Sequence, residues 1–160
     1  MSKVTLAATT LAVAAVAGVG SVASRASASS WYSRLSKPSY VPPNAVFPVA
    51  WTSLYTDIAA TSATAIDRLR ATGRHDEARN YVAALGVNLI LNAGWSWLFF
   101  KYHDLGASTV GAAVLAASSA DLTRPTALAN PRAGAALLPY PLWAAFATAM
   151  SSHIWVLNRS

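Results

Sequence analysis

Apolar residues in this chain do not alternate with polar ones. They gather into five blocks, about residues 4–23, 45–66, 81–100, 107–122 and 134–157, separated by short charged or proline-rich stretches. A helix needs roughly 20 apolar residues to cross about 30 Å of hydrocarbon, so the pattern predicts an all-α membrane protein of five transmembrane helices. No internal repeat or low-complexity linker interrupts it, which gives one domain over residues 1–160. A cleaved signal peptide is the alternative for the first block, with Lys3 as its basic start and Ala26-Ser27-Ala28 as a small-residue cleavage site.

Within the blocks, helical spacing marks inward faces. Phe47, Trp51, Tyr55 and Ala59 recur every fourth residue. Asn88, Asn92, Trp95 and Phe99 share a second face, and Trp143, Ala147, Met150 and Ile154 a third. Amides at bilayer depth should look away from lipid, and Asn88 reads as glue between helices. The intervening signals predict Asn44 as a helix N-cap, a charged loop from Asp67 to about Asn80, a loop from Pro125 to Arg132, and a kink at Pro139 and Pro141.

Between the first two blocks lies Trp31 to Tyr55, an aromatic stretch stiffened by Pro38, Pro42 and Pro43. Each proline fixes φ near −65° and biases its predecessor away from helix, so Leu35 to Pro43 is predicted to be a rigid, extended lid that meets the Phe47/Trp51/Tyr55 face.

Composition narrows the function. With 54% hydrophobic and 11% charged residues and a mean hydropathy of +0.37, the chain is too apolar for a soluble domain of 160 residues, whose charged share is typically about 25%. The +6 net charge is dispersed over termini and loops, which fits anionic membrane lipid and not nucleic acid. Zero cysteines exclude disulfides and thiol catalysis, and three isolated histidines do not form a metal site. No nucleophile, base and orienter set and no phosphate loop occurs, so no conventional enzyme is predicted and no cofactor is required.

The Trp31-Tyr32 pair, Leu35, Lys37-Pro38, Pro42-Pro43, Phe47, Trp51 and Leu54-Tyr55, followed by Asn92, Trp95, Phe99-Phe100, Pro139-Tyr140, Trp143, Phe146 and Asn158, resemble the TspO/MBR family of tryptophan-rich sensory and translocator proteins over nearly the whole chain. The resemblance implies a five-helix, multi-pass membrane receptor, homodimeric, that binds porphyrins and other planar hydrophobic ligands in a pocket beneath the first loop. The ligand-contacting residues it implies are Trp31, Tyr40, Phe47, Trp51, Tyr55, Asn92, Trp95, Phe99, Tyr140, Trp143, Phe146 and Ala147. It also implies that Trp51 and Trp143 are the catalytic pair if bound porphyrin is degraded by light. Both tryptophans are equally readable as packing or interfacial aromatics. Departures from the family pattern at Met150-Ser151, Ser152 and Val156 weaken a sterol role, although Arg79, Tyr81 and Leu85 satisfy a loose reversed sterol consensus.

One charge stands out. Asp57 sits mid-block, where an aspartate costs about 3 kcal/mol; His153 is the intramembrane group of suitable sign to pair with it, and the alternatives are an Asp57 that is protonated or faces water and a His153 at the interface. Asp57 makes a small-molecule, sterol or lipid transporter the alternative function. A packing subunit without a ligand is a third reading, disfavoured because it does not require a rigid aromatic lid.

Overall fold

The computed structural model describes residues 2–27 and 30–159. Ala28 of the small-residue stretch lies outside them, and so do the side chains of Ala26 and Ser27. The described residues form α1 (Lys3–Ser27), a short α2 (Trp31–Arg34), α3 (Val46–Ala71), α4 (His75–Ser96), a π-helical turn (Trp97–Lys101), α5 (Leu105–Ala129), α6 (Pro131–Leu137) and α7 (Pro139–Asn158).

Among the described residues four segments are long and apolar enough to cross a membrane: Lys3–Ser24, His75–Lys101, Leu105–Ala129 and Pro131–Asn158. The chain is an integral, multi-pass membrane protein. The fifth expected span differs. With 26 residues α3 is long enough, about 39 Å at 1.5 Å per residue, but it carries too many hydroxyls to match the other four. Those hydroxyls are satisfied inside the helix: Ser53, Thr56, Thr61 and Thr64 donate to the carbonyls of Val49, Thr52, Asp57 and Ala60 at 2.7–2.9 Å. Such back-bonding removes much of the penalty a polar helix meets away from water.

Helix α1 lies along α3 and α4, and α5 has its most extensive contact with α7. The α1–α3 pairing is fixed by Thr5 donating to Asp67 at 2.6 Å and by Thr9 donating to the Ala59 carbonyl at 2.9 Å. One core of Ile58, Leu85, Leu89, Leu115, Leu122 and Leu137 fills the middle of the bundle, and an aromatic cluster occupies the end nearest the first loop.

Several boundaries depart from those the sequence predicts. Asn44 is not the N-cap of α3: Ala45 holds that place, no side chain caps it, and the entry turn is closed by Val46 N–H on the Pro43 carbonyl. The charged stretch after Asp67 is helical to Ala71 and again from His75, leaving residues 72–74 as the turn, with Gly73 at φ 75°. The predicted loop at Pro125 is helix through Ala129. A proline there removes one ladder donor near the helix end. Its neighbours hold it in place: Thr126 Oγ1 donates to the Leu122 carbonyl and bonds Tyr81 Oη at 2.8 Å, with Leu122 and Thr126 buried. The expected interruption near Pro139 is present as the break at Leu138 between α6 and α7.

Candidate functional site

The aromatic side chains singled out in the sequence converge into one run of rings. Trp31 meets Phe99 edge-on at 5.5 Å, and Phe99 stacks on Trp95 at 5.5 Å. Trp95 lies 6.3 Å from Trp51, and Trp51 meets Trp143 at 6.3 Å and 88°. Trp143 continues to Phe146 at 5.5 Å, and Phe146 to Tyr40 at 6.0 Å. Phe47 abuts Trp143, and Tyr55 stacks on Trp51 at 5.5 Å. These separations are those of favourable edge-to-face and offset pairs. The fourfold spacing on α3 puts Phe47, Trp51 and Tyr55 on one face. Directly after α4 the π-helical turn, a feature often found at functional sites, carries Phe99 and Phe100 into the cluster.

The loop between α1 and α3 covers this cluster. Leu35 and Val41 pack into it from above. The loop is tied to α7 at three levels. Tyr40 packs on Phe146 and bonds His153 Nδ1 at 3.3 Å, while Ser36 and Asn158 exchange two hydrogen bonds of 3.0 and 2.8 Å. The stretch expected to be wholly extended is more structured than that. It begins with the helical turn Trp31–Arg34, and Val41 N–H closes a turn on the Pro38 carbonyl.

Beneath the rings runs a polar chain. Tyr55 Oη donates to Asn92 Oδ1 at 2.9 Å, Asn92 Nδ2 donates to Tyr140 Oη at 3.2 Å, and Tyr140 donates to Asn88 Oδ1 at 2.7 Å. Asn88 Nδ2 then reaches Ser118 and Ser119 at 3.1 and 3.2 Å. Four helices, α3, α4, α7 and α5, are joined through it. Asn88 is the interhelical glue its position predicts. Asn92, expected to face ligand, is buried with both its oxygen and its amide nitrogen engaged by tyrosines, so in this arrangement it forms the floor of the cluster. Tyr140 is fully buried at the hub, and Ala147 is buried on α7.

Other expected contacts are not made. Asp57 is half-buried, and its carboxylate has no partner among the described residues. The proposed partner, His153, is exposed and bonds Tyr40 instead. The loose sterol pattern also fails geometrically. Tyr81 and Leu85 are buried, and Tyr81 Oη is taken by Ser62 and Thr126. Among the described residues no group of three potential metal ligands converges. Two cavities, of about 380 and 400 Å³, lie at the opposite end of α3, one lined by Arg70, His75, Ala78, Arg79 and Val82, the other by Arg68, Ala129, Asn130, Pro131 and Arg132. Neither touches the aromatic cluster.

Sequence reasoning named Tyr32 only as part of the family motif and placed neither it nor His103 among the site residues. Tyr32 is buried against Phe99 and Phe100. His103 has the left-handed φ of 56° and stacks on Trp31 at 4.0 Å with the rings almost parallel. The Trp31-Tyr32 pair was the available signal for the first; nothing local marks the second.

Comparison with known proteins shows the family. The TspO/MBR family model matches residues 8–156. Protein CrtK of Rhodobacter capsulatus is 32% identical over 134 residues, 81% of this chain and 79% of its own length. Tryptophan-rich protein TspO of Archaeoglobus fulgidus is 32% identical over 165 aligned positions, covering 99% of both chains. The human translocator protein is 30% identical over 132 residues, 81% of this chain and 75% of its own.

Proposed function

Given that the chain belongs to the TspO/MBR family, we propose that it is a membrane receptor for a flat, hydrophobic ligand of the porphyrin class, held between the loop and the aromatic faces of α3, α4 and α7. The observation that carries this reading is the continuous run of rings from Trp31 to Tyr40, lying directly under a proline-stiffened loop that is tied down at Asn158 and His153. Tryptophan faces suit a planar π system, each contact contributing about 1 kcal/mol beyond burial. The rings now pack on one another, so a ligand enters by parting the loop from α7. Trp51 and Trp143, at right angles to each other, are the pair that would exchange electrons with a bound porphyrin under light.

Titration of the purified protein with protoporphyrin, followed by tryptophan quenching, tests the reading: saturable quenching at one site is expected, and its absence rejects porphyrin as ligand. The loop supplies a second test. Replacing Pro42 and Pro43 together by alanine should preserve the fold and weaken binding by about 1–2 kcal/mol, because the freed loop must be ordered on binding. Unchanged affinity in that double variant would remove preorganisation from the account.

A transporter is the second reading, favoured by one observation: the half-buried Asp57 carboxylate without a partner among the described residues. Unpaired carboxylates at membrane depth mark proton and substrate paths. Asp57→Asn should abolish pH-driven uptake into vesicles if the chain transports. If it only binds, porphyrin affinity and any vesicle accumulation should match the parent.

A further inference from the structure

Three buried side-chain polar atoms have no hydrogen-bond partner among the described residues: Tyr32 Oη, Trp95 Nε1 and Ser151 Oγ. Buried donors are paired in the great majority of native interiors, so each orphan asks for a missing partner. Two of the three belong to one place. Tyr32 and Trp95 are 6% and 5% exposed, and both pack on the same two rings, with centroids 6.1 and 5.5 Å from Phe99 and 6.2 and 6.1 Å from Phe100. An indole N–H can only donate. Burial pushes the Tyr32 phenol above its ordinary range, so it too keeps its proton and donates.

A cation stands over the same spot. Lys37 Nζ lies 4.5 Å from the centre of the Tyr32 ring and donates to the carbonyls of Tyr32 and Leu35 at 2.7 and 3.2 Å. No carboxylate pairs with it among the described residues. An ammonium carries three donors, so one remains beyond these two carbonyls. The loop end of the aromatic cluster thus offers two buried donors and a positive charge.

We infer that this corner is an anchor for a carboxylate on the edge of the planar ligand, with Tyr32 Oη and Trp95 Nε1 donating to its oxygens and Lys37 balancing its charge. The inference rests on the ligand-binding reading above and adds polarity to it. The ligand enters with its acidic edge towards α2 and the loop, and its apolar body lies over Trp51 and Trp143. Selection for acidic over neutral planar molecules follows, since an edge without acceptors would leave both donors unpaired and a neutral acceptor such as an ester would forgo the charge-assisted bonds.

Three ligands sharing one macrocycle separate the outcomes: protoporphyrin IX with two propionates, its dimethyl ester, and etioporphyrin with no carboxyl group. Affinities of the full chain are read from the shift of the porphyrin absorption band, which does not depend on any one tryptophan. The parent should bind the diacid about tenfold more tightly than the ester or etioporphyrin, as a charge-assisted bond predicts. Tyr32→Phe and Lys37→Met should each narrow that preference several-fold and leave etioporphyrin binding unchanged, and Trp95→Phe should narrow it too, on top of a smaller loss shared by all three ligands because its ring area shrinks. A parent that binds diacid and etioporphyrin equally overturns the anchor while leaving the porphyrin reading intact. So do variants that keep the full preference, or that weaken all three ligands alike. If a variant fails to fold, the parent's own preference among the three still decides. A parent that binds none of them overturns both.

Discussion

Replacing Trp143 by phenylalanine is expected to slow light-driven loss of saturating protoporphyrin at least about tenfold, while binding weakens by only about 1 kcal/mol. Phenylalanine keeps an aromatic face of smaller area but removes the indole N–H and most of its ease of oxidation, so the two readouts separate contact from electron transfer. With dioxygen as oxidant such a reaction would balance: the excited porphyrin would take one electron from the indole and pass it to dioxygen, and the oxidised indole would be restored by an electron from the porphyrin, which would be left one-electron oxidised and open to ring cleavage. Trp51→Phe should behave in the same way, because Trp51 meets Trp143 at 6.3 Å and lies between it and Trp95. Spectra recorded under constant illumination, in air and under argon, check this directly. Loss at the parental rate in both saturated variants would confine the two tryptophans to packing. A parent that leaves the porphyrin spectrum unchanged in air would remove the chemical role and leave a binding protein.

Gly134→Ala should destabilise the protein more than any other single small substitution considered, by about 3 kcal/mol or more, the upper end of overpacking. A Cβ at this position would lie 2.4 Å from Ala127 Cβ, 2.5 Å from Ala127 Cα and 2.8 Å from Ala127 N. Two of those three atoms are backbone and cannot rotate aside, so α6 has to move off α5. The displacement would pass through the break at Leu138 to Tyr140, whose hydroxyl joins Asn92 to Asn88. The site should therefore loosen along with the fold. Thermal unfolding of the purified protein is expected to fall by roughly 5–10 °C. Gly94→Ala, where an added Cβ meets nothing within 4 Å, should leave it unchanged or slightly raised. Equal melting temperatures for Gly134→Ala and the parent would show that α5 and α6 do not approach so closely.

The sequence by itself determined the class of this protein and the identity of its aromatic faces. Long apolar blocks leave a chain little choice, because in hydrocarbon every backbone donor must be satisfied within its own helix. The fourfold spacing of Phe47, Trp51 and Tyr55, and the shared face of Asn88, Asn92, Trp95 and Phe99, are properties of helical geometry alone, and both faces point inward in the fold. Local signals failed wherever a distant partner outweighed them. Pro125 reads as a loop until Tyr81 is seen holding Thr126 inside the bundle; at Asn44 the competitor is local instead, the turn that Val46 N–H closes on the Pro43 carbonyl. Opposite charge made Asp57 and His153 look like a pair, but periodicity does not fix how α3 and α7 are rotated, and His153 meets Tyr40. The same ignorance of rotation and register hid the most informative features. Only the tertiary structure decides that Asn92 spends its amide on two tyrosines, and that Tyr32 and Trp95, 63 positions apart in the chain, are left with unpaired donors beside the same two phenylalanines. Hydrogen-bond satisfaction is a property of the packed neighbourhood, and no window of sequence contains it.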